Sequence, residues 1–297
     1  MDEEDYAIPL VETVDGENAF RNRNQPGEHM RENVIQENIG GLYASVTLVG
    51  VRHGTLNPEK STPATLIKFK FTFGGSETGK RRFKKATIKV KFQQRAAKGS
   101  GQQDNLRPAV CKINPSTRHT ANYSDENLTK HSGGKVTFQP SGGSEIVNMA
   151  ASAGIFQSST SNFTHHATFE GLPYLDDVNS GKHNAVRWTI TENPHLKDGL
   201  PFSVIGAVLL VPVTQEPFDA IVKLDTDVDW PRNIKRLCGN RTIDPVVFGS
   251  AKERTHMGDP EPNMDETRMQ AFDMNQLINV VSGLAILSRL SRTPGLG

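Results

Sequence analysis

Charge is the property this sequence arranges in a pattern. Between Lys68 and Lys98 eleven basic residues stand against a single acid, Glu77. Lys68 and Lys70 alternate with Ile67, Phe69 and Phe71, and Lys85, Lys89 and Lys91 alternate with Ile88 and Val90. Successive side chains of a strand point to opposite faces, so each run predicts a polar face backed by an apolar one. With Gly74–Gly79 as the connection, the two runs read as an antiparallel hairpin. Such a hairpin would gather Lys68, Lys70, Lys80, Arg81, Arg82, Lys84, Lys85, Lys89 and Lys91 into one field able to attract a polyanion. An anionic lipid or an acidic protein surface is the expected partner; each base near an anionic membrane is worth about 1 kcal/mol. Nucleic acid competes for the same charge, but no aromatic residues interleave with the lysines to stack on bases. The plainer alternative is a lysine-rich exposed face that keeps a strand soluble and unpaired.

Other candidate chemistry is weaker. Gly74-Gly75-Ser76-Glu77-Thr78-Gly79-Lys80 has phosphate-loop spacing, yet Arg81 stands where a Ser or Thr hydroxyl would ligate magnesium. Arg81–Phe92 then alternates as a strand, whereas a phosphate loop opens a helix. Asp225, Asp227 and Asp229 alternate and offer oxygen ligands to calcium. An EF-hand is excluded by Trp230 at the loop-glycine position and Arg236 at the bidentate-glutamate position. With the basic run, these aspartates give the chain some similarity to the calcium- and phospholipid-binding β-sandwich domains of the synaptotagmin type. The Gly54–Pro63 connection, however, lacks the further aspartates those domains need. No cofactor is expected. The chain contains no G-x-S-x-G or H-E-x-x-H run, so a binding protein is expected rather than an enzyme; His165, His166 and His183 are where an unrecognised active site would first be sought.

The net charge of +1 over 297 residues conceals a cancellation. Residues 1–40 carry −7, residues 41–100 carry +11, and the remainder carries −3. The first segment has no sustained apolar period and reads as an acidic disordered tail able to fold back on the basic face. The start, Met1-Asp2-Glu3-Glu4-Asp5, is unlike a secretory leader, and no apolar run reaches the 18 or so residues of a spanning helix, which predicts a cytoplasmic protein without a transmembrane segment. Two cysteines, Cys111 and Cys238, cannot build a disulfide framework.

The elements that must position these residues are mostly strands. Leu42, Ala44, Val46 and Leu48 begin an alternating run, and Val186, Trp188 and Ile190 form another. Phe202–Val211 is continuously apolar, the mark of a strand buried on both sides. Ala220–Leu224 adds one more. From Gln93 to Ser161 the expectation is short strands, among them Ala109–Ile113, Val136–Phe138 and Ile146–Ala150, separated by long loops. Asp273 and Gln276, followed by Leu277, Val280, Val281, Leu284 and Leu287, predict one helix over about 273–290. The expected architecture is therefore a mainly β, antiparallel sandwich over 41–250 with long loops, followed by a linker and a C-terminal helix within 251–297.

Several short stretches carry a resemblance. Gly79–Ala86, Trp188 with Glu192-Asn193-Pro194, Gly199-Leu200-Pro201, Ala207–Leu210 and Asp244–Phe248 resemble a group of filamentous-fungal (ascomycete) β-rich proteins of unknown function. The resemblance implies an intracellular β domain and brings no activity or ligand. The functional expectation is an interaction protein using its basic face. A self-assembling, capsid-like or oligomeric sandwich is the alternative.

Overall fold

The described residues form twelve strands: β1 (Asn33–Ile39), β2 (Leu42–Thr55), β3 (Pro63–Gly74), β4 (Phe83–Gln94), β5 (Ala109–Asn114), β6 (His119–Gly134), β7 (Ile155–Tyr174), β8 (Ala185–Thr191), β9 (Ser203–Val211), β10 (Phe218–Val228), β11 (Val246–Phe248) and β12 (Val280–Val281), with period-two burial clearest in β3, β4 and β10. The structure is a computed structural model describing residues 24–281 apart from 26, 40, 60, 76–80, 96–106, 135–154, 177–180, 215, 230–242, 250–255 and 260. The strands form two antiparallel sheets. The first runs β1-β2-β3-β9-β12, with β5 also on β9; the second runs β11-β10-β4-β8-β7-β6.

The sheets face each other across one apolar core. Leu48, Phe69, Phe71 and Val208 from the first meet Ile88, Val90, Phe92, Trp188 and Ile190 from the second, all essentially free of solvent. Trp188 is the pivot. Its ring lies 5.4 Å from Phe71 and 6.1 Å from Phe69, and its Nε1 donates to the Asn114 carbonyl at 3.0 Å. A Cβ on Gly206 would come within 2.9 Å of both Trp188 and Phe71, so this strand position must stay bare for the sheets to close.

The antiparallel sandwich is therefore as expected, but four details are not. β3 and β4 do not form a hairpin. β3 pairs with β2 and β9, β4 with β10 and β8, and the connection between them crosses from one sheet to the other. Alternation alone cannot separate these cases, because apolar faces bury equally well side by side or face to face. Across the crossover Phe73 and Phe83 meet at 5.7 Å.

The acidic tail is also shorter than predicted. β1 pairs with β2, and ahead of it Arg31 donates to Asn24 Oδ1 at 2.6 Å and to the Asp244 carbonyl at 3.0 Å. Residues 1–23 lie outside the described residues.

The C-terminal helix is the third correction. Asp273 does cap, accepting from the Asn275 amide at 3.0 Å, but the turn it starts is a 3₁₀ helix of four residues, Met274–Leu277. Val280 and Val281 then pair with Val204 and Ser203 of β9. An open sheet edge captures two β-branched residues that helical spacing would have claimed. Residues 282–290 lie outside the described residues, as do the islands Val136–Phe138 and Ile146–Ala150.

Finally, the region expected to be a linker is a strap across the outer face of the first sheet. Met257 bridges Val51 through two backbone hydrogen bonds of 3.0 Å, and the Thr55 amide donates to the Glu266 carbonyl at 2.7 Å. Met269, Phe272, Met274 and Leu277 cover Ala64, Leu66, Ala207 and Leu209. This second apolar layer is why β9 is apolar on both faces.

Candidate anion-binding face

The crossover divides the predicted basic site. Lys68 and Lys70 lie on the outer face of the first sheet, while Lys85, Lys89 and Lys91 lie on the outer face of the second, with the core between them. Lys68 is committed to the strap, where it pairs with Glu261. Burial pulls its pKa below the usual lysine value, with Arg52 adding to the effect and Asp259 opposing it. Arg82 and Lys84 are committed too. Arg82 Nε bonds Glu192 at 2.8 Å, its other arm pairs with Asp229, and Lys84 Nζ reaches Asp229 at 2.9 Å. Burial works against the charge on Arg82, but Glu192 and Asp229 outweigh it and raise its pKa. The Lys84 hydrogen bond, with Arg82 beside it, holds Asp229 below the usual carboxylate range. Arg81 is half-buried, and Lys80 lies outside the described residues.

Sheet register assembles a different cluster around the remaining lysines. Lys89 is directly opposite Lys223 of β10 on one side and Arg187 of β8 on the other. Three cations thus occupy one rung across three adjacent strands. One rung along lie Lys91 and Tyr174, the latter on β7. Lys89, Lys91, Arg187, Lys223, Tyr174, Asp176 and Ile221 line an open depression of about 400 Å³. Asp176 contacts Lys91 at 2.6 Å, and Asp225 stands 3.9 Å from Lys89 at the upper edge. The depression itself thus holds four bases against one acid. Burial, reinforced by Asp176 and opposed by Arg187, raises the Tyr174 pKa and keeps the phenol a hydrogen-bond donor.

The adjoining depression, about 620 Å³, shares Lys89 and Arg187 but adds Lys85, Glu170, Asp225 and Asp227, so charge there is balanced. Beside the cationic rung Leu172, opposite Arg187, is 49% exposed, and Leu175, just past the end of β7, is 44% exposed.

The calcium expectation does not survive this geometry. Asp225 and Asp227 lie along β10 rather than around a loop, and two carboxylates fall short of the six to eight oxygens calcium takes. Asp225 faces Lys89, and Asp229 is held by Arg82 and Lys84. No group of three potential metal ligands occurs among the described residues. The histidines singled out for catalysis are dispersed. His165 lies 5.3 Å from His195, ring to ring, whereas His183 borders a separate depression containing Cys111. Burial raises the Cys111 thiol pKa against the pull of Lys112, the opposite of what a nucleophile needs.

Sequence reasoning missed Arg187, Lys223 and Tyr174. The outward positions of Arg187 and Lys223 were readable from alternation with Val186, Trp188, Val222 and Leu224; their alignment with Lys89 required the strand order.

No family model matches the chain, and no curated protein matches it. Among solved structures, the chain is similar to one described as a pore forming protein, at 10% identity and a TM-score of 0.31, over 73% of this chain and 84% of that one. It is likewise similar to the membrane-inserted form of the Clostridium perfringens NetB toxin, at 10% identity and a TM-score of 0.26, over 76% and 91%. Both scores are too low to carry a function across.

Proposed function

We propose that this protein binds anionic membrane surfaces through the outer face of its second sheet. The observation that carries the reading is the rung Lys223–Lys89–Arg187. Like charges directly opposite on neighbouring strands destabilise a sheet, by up to about 1 kcal/mol per pair, so a rung of three favours an external anion that offsets the repulsion. Arg187, at the end of the rung beside Lys89, suits phosphate oxygens, which a guanidinium can grip in bidentate fashion. The depression lies on the outer face of a sheet, where a membrane surface can reach it. Exposed Leu172 beside the charge adds apolar contact that a nucleic-acid backbone would not use. Four bases offset by Asp176 and by Asp225 beside Lys89 leave about two charges, or roughly 2 kcal/mol at an anionic membrane.

The test is co-sedimentation with vesicles of phosphatidylserine and phosphatidylcholine, compared with phosphatidylcholine alone. Single-stranded RNA and a polyglutamate peptide run as parallel arms. The wild type is expected to bind only the anionic vesicles, and Lys89→Glu combined with Arg187→Glu to abolish that binding. Binding to RNA or polyglutamate in preference to vesicles would assign the face to another partner.

A further inference from the structure

A second surface stands apart from the basic face and does not depend on it. β7 is twenty residues long, but β8 covers only Thr168–Tyr174. Beyond that point Asn193 Nδ2 donates to the His165 carbonyl at 3.2 Å and closes the covered part of the edge. From there β6 and β7 continue alone as a two-stranded ribbon, in unbroken register from Ser124 opposite His165 to Gly134 opposite Ile155. Eleven paired positions extend about 36 Å at strand rise. Among the described strands, none pairs with β6 on its other side or with β7 over 155–167.

Two physical facts make this arrangement incomplete. An isolated two-stranded ribbon is marginal in water and is completed by a third strand or a packed layer. Long open edges also invite pairing, so monomeric proteins shorten them or block them with proline and lysine. This molecule does shorten its other sheet ends: β1, β11 and β12 have seven, three and two residues. The ribbon is the exception. Residues 155–164 contain no proline and no Asp, Glu, Lys or Arg, and 124–134 contain only Asp125, Glu126 and Lys130.

We infer that the ribbon is an assembly element whose edges pair with the ribbon of a second copy of this chain. The second copy is the fitting occupant because it supplies an edge of the same length, with almost no charge to repel its partner. Joining β7 to β7 gives a two-fold dimer with a four-stranded sheet, whereas joining β7 to β6 gives a heterologous contact that propagates into a ring. Either completes the ribbon.

The experiment is light scattering of the full chain over a range of concentrations, alone and with phosphatidylserine vesicles, combined with hydrogen exchange. The expected result is a mass that is a multiple of 32.6 kDa, with concentration-dependent protection confined to amides of 124–134 and 155–165. Ser159→Lys with Ser161→Lys should restore the monomer by charging the edge without removing any backbone donor. A scan of single cysteines over 155–165, in a background with Cys111→Ser and Cys238→Ser, should give a disulfide-linked dimer only at the position or two nearest the two-fold axis if β7 meets β7. The same scan should give none across a β7–β6 contact, while the mass stays oligomeric. A monomer under every condition, or assembly that persists in the double-lysine variant with protection elsewhere, overturns the inference.

Discussion

Lys223→Glu should make the fold more stable and the protein a poorer membrane binder. Lys223 is exposed on β10, directly opposite Lys89, which itself faces Arg187. Replacing the first of these cations by a carboxylate converts a repulsive cross-strand pair into an attractive one. Each such pair contributes about 0.2–1 kcal/mol, so the reversal is worth about 1 kcal/mol. In a domain of this size that corresponds to a rise in melting temperature of roughly 3 °C. Because the pair is exposed, the gain should vanish near 1 M salt, where the screening length falls to about 3 Å. The same substitution changes the face by two charges, about 2 kcal/mol at an anionic membrane, or roughly a 30-fold loss of vesicle affinity. Thermal melts at low and high salt, paired with vesicle titration, measure both effects. A melting temperature that falls at low salt, or a gain that survives high salt, would refute the claim that the rung is under electrostatic strain.

Three further outcomes are expected from the core and the strap. His53 is buried, with Nδ1 at 3.0 Å from Thr65 Oγ1 and Nε2 lacking a partner, and burial with nearby His256 lowers its pKa from 6.5 to about 4. The unfolded chain therefore binds a proton that the folded chain refuses. Stability should be complete above about pH 6.5 and fall as pH drops towards 4, by on the order of 3 kcal/mol, a slope that denaturant titration should find flattened in His53→Gln. Glu261→Gln leaves the Lys68 ammonium half-buried beneath the strap without its carboxylate, costing about 2 kcal/mol; limited proteolysis should then cut residues 256–277 sooner than in the wild type. Gly206→Ala places a methyl against Trp188 and Phe71 and should cost about 1–3 kcal/mol by chemical denaturation, without changing vesicle binding by the folded protein.

How much of this was legible in the sequence depends on which residues decide each feature. Strands β2, β3, β4, β8 and β10 announce themselves by alternation, and the continuous apolar run of β9 correctly signals burial on both faces. Strand partnership is another matter. Ile67–Phe73 and Ala86–Phe92 satisfy a hairpin and a sheet-to-sheet crossover equally. The discriminating signal was the eight-residue connection from Gly75 to Arg82, longer than the two to five residues most hairpins use. The site inherits that ambiguity. Lys85, Lys89 and Lys91 share a face as expected, but Lys68 and Lys70 are lost to the opposite side, and Arg187 and Lys223 arrive from strands far away in sequence. The strap's end was hidden for a related reason: Leu277, Val280 and Val281 read as one face of a helix until an exposed sheet face and the open edge of β9 compete for them.

The membrane-binding claim is tested most directly by finding which face touches the bilayer. Single cysteines replacing Leu172 or Leu175 beside the cationic rung, and Lys70 on the opposite outer face, can carry an environment-sensitive fluorophore in a background with Cys111→Ser and Cys238→Ser. On addition of phosphatidylserine vesicles, the labels at 172 and 175 should shift to the blue and resist an aqueous quencher, while the label at 70 stays as it is in buffer. A shift at 70 with none at 172 or 175 would contradict the assignment and place the membrane on the other sheet.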